Sequence, residues 1–219
     1  MSTIAILPIK TFDVAKRRLA QGLDPAPRRA LVEAMFSDVL VALRRCALVD
    51  QVLVVSGDHG AQRIAAGYGA QVLVDDEQGH NAAAVRGVAR ALELGSRRAL
   101  LVPGDCPILS PGELDGLIRR PAGPRSALIV PDRHGSGTNA LLLTPPDSLK
   151  PAFGVGSRER HESNARAAGL EVHTVTVASL ALDVDTPDDL SAIESALLGS
   201  HGGAAHTRGM LRQLSRSRH

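Results

Sequence analysis

The chain has 219 residues, a net charge of +2, 44% apolar residues, 2% aromatic residues and no tryptophan. This favours one domain with a sizeable aliphatic core of Leu, Val, Ile and Ala. It also argues against a nucleic-acid surface. Residues 200–219 hold Arg208, Arg212, Arg216 and Arg218 and no acid, so the remaining body carries −2 and lacks the aromatic side chains that stack on bases.

Residues 3–9 form a short apolar run closed by Pro8 and read as a buried first strand. The opening MSTIAILPIK is too short for a signal peptide and lacks its basic flank. No apolar run approaches the ~20 residues of a membrane helix. The expectation is therefore no membrane partner and a reduced, cytoplasmic setting. The loop that follows, PIKTFDVAKRRL, places Lys10, Lys16, Arg17 and Arg18 close behind the strand. Such a loop can hold a triphosphate by charge-assisted hydrogen bonds, Arg by forking onto two oxygens and Lys as a point charge. A solvated basic loop would have the same composition.

Residues 28–45 have helical spacing, with Leu31, Met35, Val39 and Leu43 near one face. Strands then alternate with helices: strand 51–56, helix 61–68, strand 71–74, helix 82–94, strand 99–102, helix 111–119 and strands 127–130 and 139–144. Helix 158–168, strand 171–177 and helix 187–198 complete the pattern. This argues for a single-domain α/β fold over residues 1–198, with helices on both faces of a mixed, mostly parallel sheet. Residues 199–219, rich in Gly, His, Ser and Arg, read as a flexible basic tail. Cys46 and Cys106 lie too far apart in sequence to form a CxxC pair, and they suggest no zinc site.

Ligands of such sheets sit beyond the carboxyl ends of the strands, so polar residues there are the candidates. The sequence has no GxGxxG, no GxxxxGK[ST] and no GxSxG, which disfavours dinucleotide, P-loop and α/β-hydrolase chemistry. Asp105 follows the run ALLVPGD, and Asp183 and Asp185 end the run LALDVD. Residues two apart in a strand share a face, so Asp183 and Asp185 can point together. Three carboxylates at strand ends can hold magnesium, a hard cation that keeps waters and substrate phosphates in its shell. Asp188 and Asp189 follow Thr186 and Pro187 and are explained as a helix start.

Two loops offer glycine and hydroxyl groups. HGSGTNA contributes Thr138 beside Gly135 and Gly137. FGVGSRERH leads into a helix that Ser157 could cap, giving an anion site flanked by Gly154, Gly156 and Arg158. Ordinary turn and cap chemistry explains either loop alone.

In order and spacing, PIKTFDVAKRRL, the GHN around Asn81, PGDCP, GSGTNALL, FGVGSRERH and DVDTPDDL resemble the 2-phospho-L-lactate guanylyltransferase family of coenzyme F-420 biosynthesis. The resemblance spans about residues 4–197. It implies a Rossmann-like nucleotidyltransferase fold, GTP as donor, Mg2+ as cofactor and a homodimer. It matches Lys10, Lys16 and Arg18 to the family's catalytic basic loop, and Glu77, Gly79 and Asn81 to its nucleotide loop. Asp105, Asp183 and Asp185 match its metal ligands, and Thr138, Gly154 and Ser157 match the positions that hold the phosphorylated acid.

Two residues depart from the family pattern: His80 stands where Leu is usual, and Cys106 where a larger aliphatic is common. The smaller Cys106 suggests room for an extra hydroxyl, so 3-phospho-D-glycerate is the first acceptor expected, with 2-phospho-L-lactate and phosphoenolpyruvate as alternatives. A sugar- or molybdopterin-type nucleotidyltransferase would carry a Gly-rich loop where PIKTFDVAKRRL stands. A non-catalytic nucleotide-binding domain is the other alternative.

Overall fold

The structure, a computed structural model, describes residues 1–12, 16, 18–19, 23–76, 78–199 and 202–217. The candidates Arg17 and Glu77 lie outside the described residues.

Seven strands form one sheet: β1 (Thr3–Pro8), β2 (Gln51–Ser56), β3 (Gln71–Val74), β4 (Arg98–Leu101), β5 (Ser126–Pro131), β6 (Thr138–Thr144) and β7 (Glu171–Thr174). Their spatial order is β3-β2-β1-β4-β6-β5-β7. β6 is antiparallel to β4 and β5, whereas the other neighbouring pairs are parallel. The switch has a local cause: β5 and β6 are joined by the short loop 132–137, which permits only an antiparallel return.

The helices are α1 (Pro25–Arg45), α2 (His59–Gly67), α3 (His80–Glu93), α4 (Pro111–Ile118), α5 (Ser157–Ala167), α6 (Pro187–Leu198) and α7 (Ala205–Ser217). Along β1 the side chains alternate between faces. Ala5 and Leu7 join one buried cluster, with α1, α2, α4, α6 and α7. Ile4 and Ile6 join the other, with α3 and α5. Close packing of α3 on β1 requires glycine at one point, because a Cβ on Gly87 would meet Ile6 Cγ2 at 2.4 Å.

Two sequence expectations are corrected. Residues 182–185 are not a strand. Val184 is instead buried and donates its backbone N–H to Asp105 O at 3.2 Å, so Asp183 and Asp185 flank an inward-pointing valine without sheet pairing. The expected flexible tail is also mostly helix. α7 packs on α1, with Thr207 and Leu211 buried. Its start is capped from a distance. Buried Asp38 of α1 accepts from the backbone N–H of His206 at 3.1 Å and of Thr207 at 2.7 Å, and it meets His206 Nδ1 at 2.9 Å. A carboxylate there satisfies amides that a helix start otherwise leaves unpaired.

Candidate active site

The first strand delivers the basic loop to the carboxyl edge of the sheet, and Phe12 anchors it there. The Phe12 ring is buried and meets Phe36 of α1 edge-on at 5.9 Å. Its backbone N–H donates to Asp58 at 3.0 Å, while the same carboxylate caps α2 through Ala61 N at 2.9 Å. Burial would raise the Asp58 pKa, but these amides and Arg29 hold it below the usual carboxylate value. One aspartate thus ties the basic loop to α2.

Beyond Phe12, Lys16 points inward with its backbone in the left-handed region, φ 55°. Its ammonium donates to Asp105 Oδ2, and to Asp185 Oδ1 at 2.5 Å. Burial alone would lower the pKa of this lysine. The charges of Asp105 and Asp185 outweigh burial and hold it above the ordinary lysine value. Asp183 lies beside this pair, and Asn139 Nδ2 donates to it at 3.1 Å and to Leu180 O at 2.6 Å. Burial, with the charge of Asp105 next, pushes the Asp183 pKa up. The structure therefore brings the three predicted carboxylates to one place around a lysine. Among the described residues, no three His, Cys, Asp or Glu side chains are grouped closely enough to cage a metal as they stand. Asp105 Oδ1 is buried without a hydrogen-bond partner among those residues.

A cavity of about 270 Å³ opens on this cluster, lined in part by Lys10, Lys16, His80, Gly104, Asp105 and Asp185. A second, of about 180 Å³, lies along Lys10, Thr11, Asp75, Gly79 and His80. A narrow cleft of about 30 Å³ runs between His80, Pro103, Thr138, Asn139 and Phe153. His80 lines all three. Burial and then Lys10 lower its pKa, which favours the uncharged ring beside the two lysines. Gly79, with φ 108°, is the cap residue that sets His80 as the first residue of α3. Arg18 is exposed and does not line the large cavity.

Asn81 does not point its amide at open space. It donates to Phe153 O at 3.1 Å and accepts from Phe153 N at 2.7 Å, clasping the backbone of the FGVGS loop. Gly154 (φ 120°) and Gly156 (φ 67°) let that loop turn back sharply, in conformations that residues with a Cβ rarely adopt. The loop leaves Val155 between them 99% exposed. The expected Ser157 cap is corrected: Gly156 occupies the cap position, and Ser157 is the buried first residue of α5 with no side-chain cap bond. The amides of Ser157 and Arg158 already donate to Gly154 O at 3.0 Å and Ser136 O at 3.1 Å.

Thr138 and Asn139 are adjacent in β6 and so face opposite ways. Asn139 reaches the Leu180–Asp183 segment, and Thr138 Oγ1 meets His161 Nδ1 of α5 at 3.0 Å. Cys106 is fully buried behind Asp105, with its Sγ 3.7 Å from Leu180 O, and it does not line the large cavity. Asp189 does more than start a helix. It accepts from the backbone N–H of Asp185 at 3.0 Å and of Thr186 at 2.8 Å, and it pairs with Arg133 at 2.5 Å.

Sequence reasoning missed Asn139, Asp58 and the centrality of His80. Of these only His80 carried a signal, as a departure in the GHN segment.

The family described as "Guanylyl transferase CofC like" matches residues 3–218. The chain belongs to this guanylyltransferase family. It is 57% identical over 219 residues to a phosphoenolpyruvate guanylyltransferase of Conexibacter woesei, covering 99% of this chain and 98% of the relative. It is 33% identical to a 2-phospho-L-lactate guanylyltransferase of Methanothermobacter thermautotrophicus over 98% of this chain and 92% of that one. The solved structure of a nucleotidyl transferase from Methanothermobacter superposes with a TM-score of 0.64 at 20% identity, covering 90% of this chain and 98% of that chain. The chain is thus a guanylyltransferase on a nucleotidyltransferase fold.

Proposed function

We propose that this guanylyltransferase transfers GMP from GTP to phosphoenolpyruvate and releases pyrophosphate, a step suited to coenzyme F-420 biosynthesis. The observation that carries the reading is Lys16, held between Asp105 and Asp185 at the floor of a cavity that continues past Lys10 to the start of α3. This lysine is protonated across the physiological range and is held where negative charge accumulates during phosphate transfer. The Conexibacter relative supports the choice of acceptor. The expectation of 3-phospho-D-glycerate required Cys106 to border the acceptor, and that side chain is turned into the core.

An oxygen of the acceptor phosphate attacks the α-phosphorus of GTP. The new O–P bond forms as the bond from the α-phosphorus to the bridging oxygen of the β-phosphate breaks, and pyrophosphate leaves with those electrons. The attacking oxygen is already ionised at neutral pH, so no general base is needed, and catalysis is positioning plus charge stabilisation. Lys10 and Lys16, which line the cavity, hold the triphosphate, and Arg18, which does not line it, is left outside this contact. The nucleotide lies along Gly79 and Asn81. Thr138, Gly154 and Ser157 bound the acceptor.

Mg2+ fits the donor set, because Asp105 keeps one buried oxygen without a partner among the described residues, beside Asp183 and Asp185. Those three carboxylates would hold it, and when bound it would neutralise charge developing on the transferring phosphate.

The test is pyrophosphate release with GTP, magnesium and each of the three acids in turn. Phosphoenolpyruvate is expected to give the highest kcat/KM. Preference for either other acid would overturn the acceptor assignment, and release with none would overturn the reaction.

A further inference from the structure

The geometry points to His161 as a positioning residue that turns the Thr138 hydroxyl into a hydrogen-bond donor aimed at the acceptor's anionic group. His161 is fully buried and touches two polar groups through opposite ring nitrogens. Its Nε2 accepts from the backbone N–H of Ala152 at 2.9 Å, and its Nδ1 lies 3.0 Å from Thr138 Oγ1. An amide N–H can only donate, so Nε2 must present its lone pair. The ring proton is therefore on Nδ1, and Nδ1–H donates to the Thr138 oxygen. Burial, with Arg160 adding to it, drives the His161 pKa down to about 4, which keeps this single tautomer at neutral pH.

The Thr138 oxygen thus receives one hydrogen bond, and its own O–H must point elsewhere. Among the described residues no other group bonds to it. Thr138 lines the narrow cleft with His80, Pro103 and Phe153, and its volume of about 30 Å³ suits one oxygen-sized group. A threonine free to rotate could offer either a lone pair or a proton to that space. Were Nδ1 the acceptor, that proton would be spent on the ring; with Nδ1–H donating, the proton is left for the cleft, where it can bind an anion. The ring also fixes the loop carrying Gly154, because Ala152 N–H is its second partner and Phe153 packs on it edge-on at 5.2 Å. The inference rests on Thr138 lying at the acceptor subsite.

Two variants separate orientation from scaffolding. His161→Asn retains a donor near the place of Nδ1 but loses the acceptor for Ala152 N–H. His161→Gln brings a side-chain oxygen within reach of that amide but offers Thr138 no donor at the place of Nδ1. Steady-state kinetics with GTP and phosphoenolpyruvate, and thermal melts, are run on His161→Asn, His161→Gln and Thr138→Val. The expected result is a rise of about 10-fold or more in the acceptor KM for His161→Gln and Thr138→Val, with the GTP KM within about twofold. His161→Asn should keep the acceptor KM near wild type while melting lower than His161→Gln. Acceptor KM tracking the melting order in both His161 variants would overturn the inference and leave His161 a scaffold residue. An unchanged acceptor KM in Thr138→Val would overturn the placement of Thr138 itself, and the inference with it.

Discussion

Asp183 carries an electrostatic penalty in the folded chain. It is half-buried beside Asp105 and Asp185, and its pKa is raised by burial first and by those charges second. A raised folded pKa means that the folded state binds the proton more readily than the unfolded chain. Its ionised form therefore destabilises the fold. The penalty is absent below the ordinary carboxylate range, grows as pH rises through it and is complete above the raised value. Asp183→Asn removes that penalty while leaving an oxygen that can accept from Asn139 Nδ2. In melts at pH 7 with EDTA, the variant should be as stable as wild type or more so, and its advantage should shrink as pH falls through the raised value and vanish below about pH 4. Its turnover should fall by about 100-fold or more. Wild-type turnover would remove Asp183 from the chemistry, and a large loss of stability would contradict the electrostatic account.

At the scale of elements, the alternation of strands and helices was legible because aliphatic runs and helix-period stripes are local signals. Each expected helix exists to within a few residues, and the helix start at Thr186 carries the full capping box. Asp105, in the turn that follows β4, was legible for the same reason. The LALDVD segment was not, because an alternating pattern looks the same whether or not a neighbour strand pairs with it. α7 was not legible either. Its apolar residues Met210, Leu211 and Leu214 do lie at helical spacing, but Gly and Arg surround them, and the partner that stabilises the helix is α1. Asp38, buried in the middle of α1, is explained only by the distant amides it caps. Asn139 escaped notice because its partners, Leu180 and Asp183, are brought to it by the tertiary fold.

Deleting residues 200–219 would strip α7 from α1, expose Leu211's partners and leave the Asp38 carboxylate without its amides. The thermal midpoint should drop by about 5 °C or more. Turnover per folded molecule should hold, because α7 contributes nothing to the cavities around Lys16 and His80. An unchanged midpoint would mean that the helix does not support α1 in solution.

In the whole molecule, a sheet with one reversed strand collects a lysine clasped by carboxylates, a cleft bounded by His80 and a loop pinned by Asn81 and His161. The parts come from the whole length of the chain. Phe12 and Asp58 set the basic loop, β4 brings Asp105, β6 brings Thr138 and Asn139, and the turn before α6 brings Asp185 through the amides that Asp189 accepts. Asn81 on Phe153 and His161 on Ala152 pin the FGVGS loop to the start of α3 and to α5.

Phosphorus NMR of the mixture formed from GTP, phosphoenolpyruvate and magnesium tests the central claim most directly. The account predicts loss of the GTP signals, appearance of free pyrophosphate and a coupled pair of resonances from a diphosphate joining guanosine to the acid. Unchanged GTP, or GDP with inorganic phosphate and no mixed diphosphate, would contradict it.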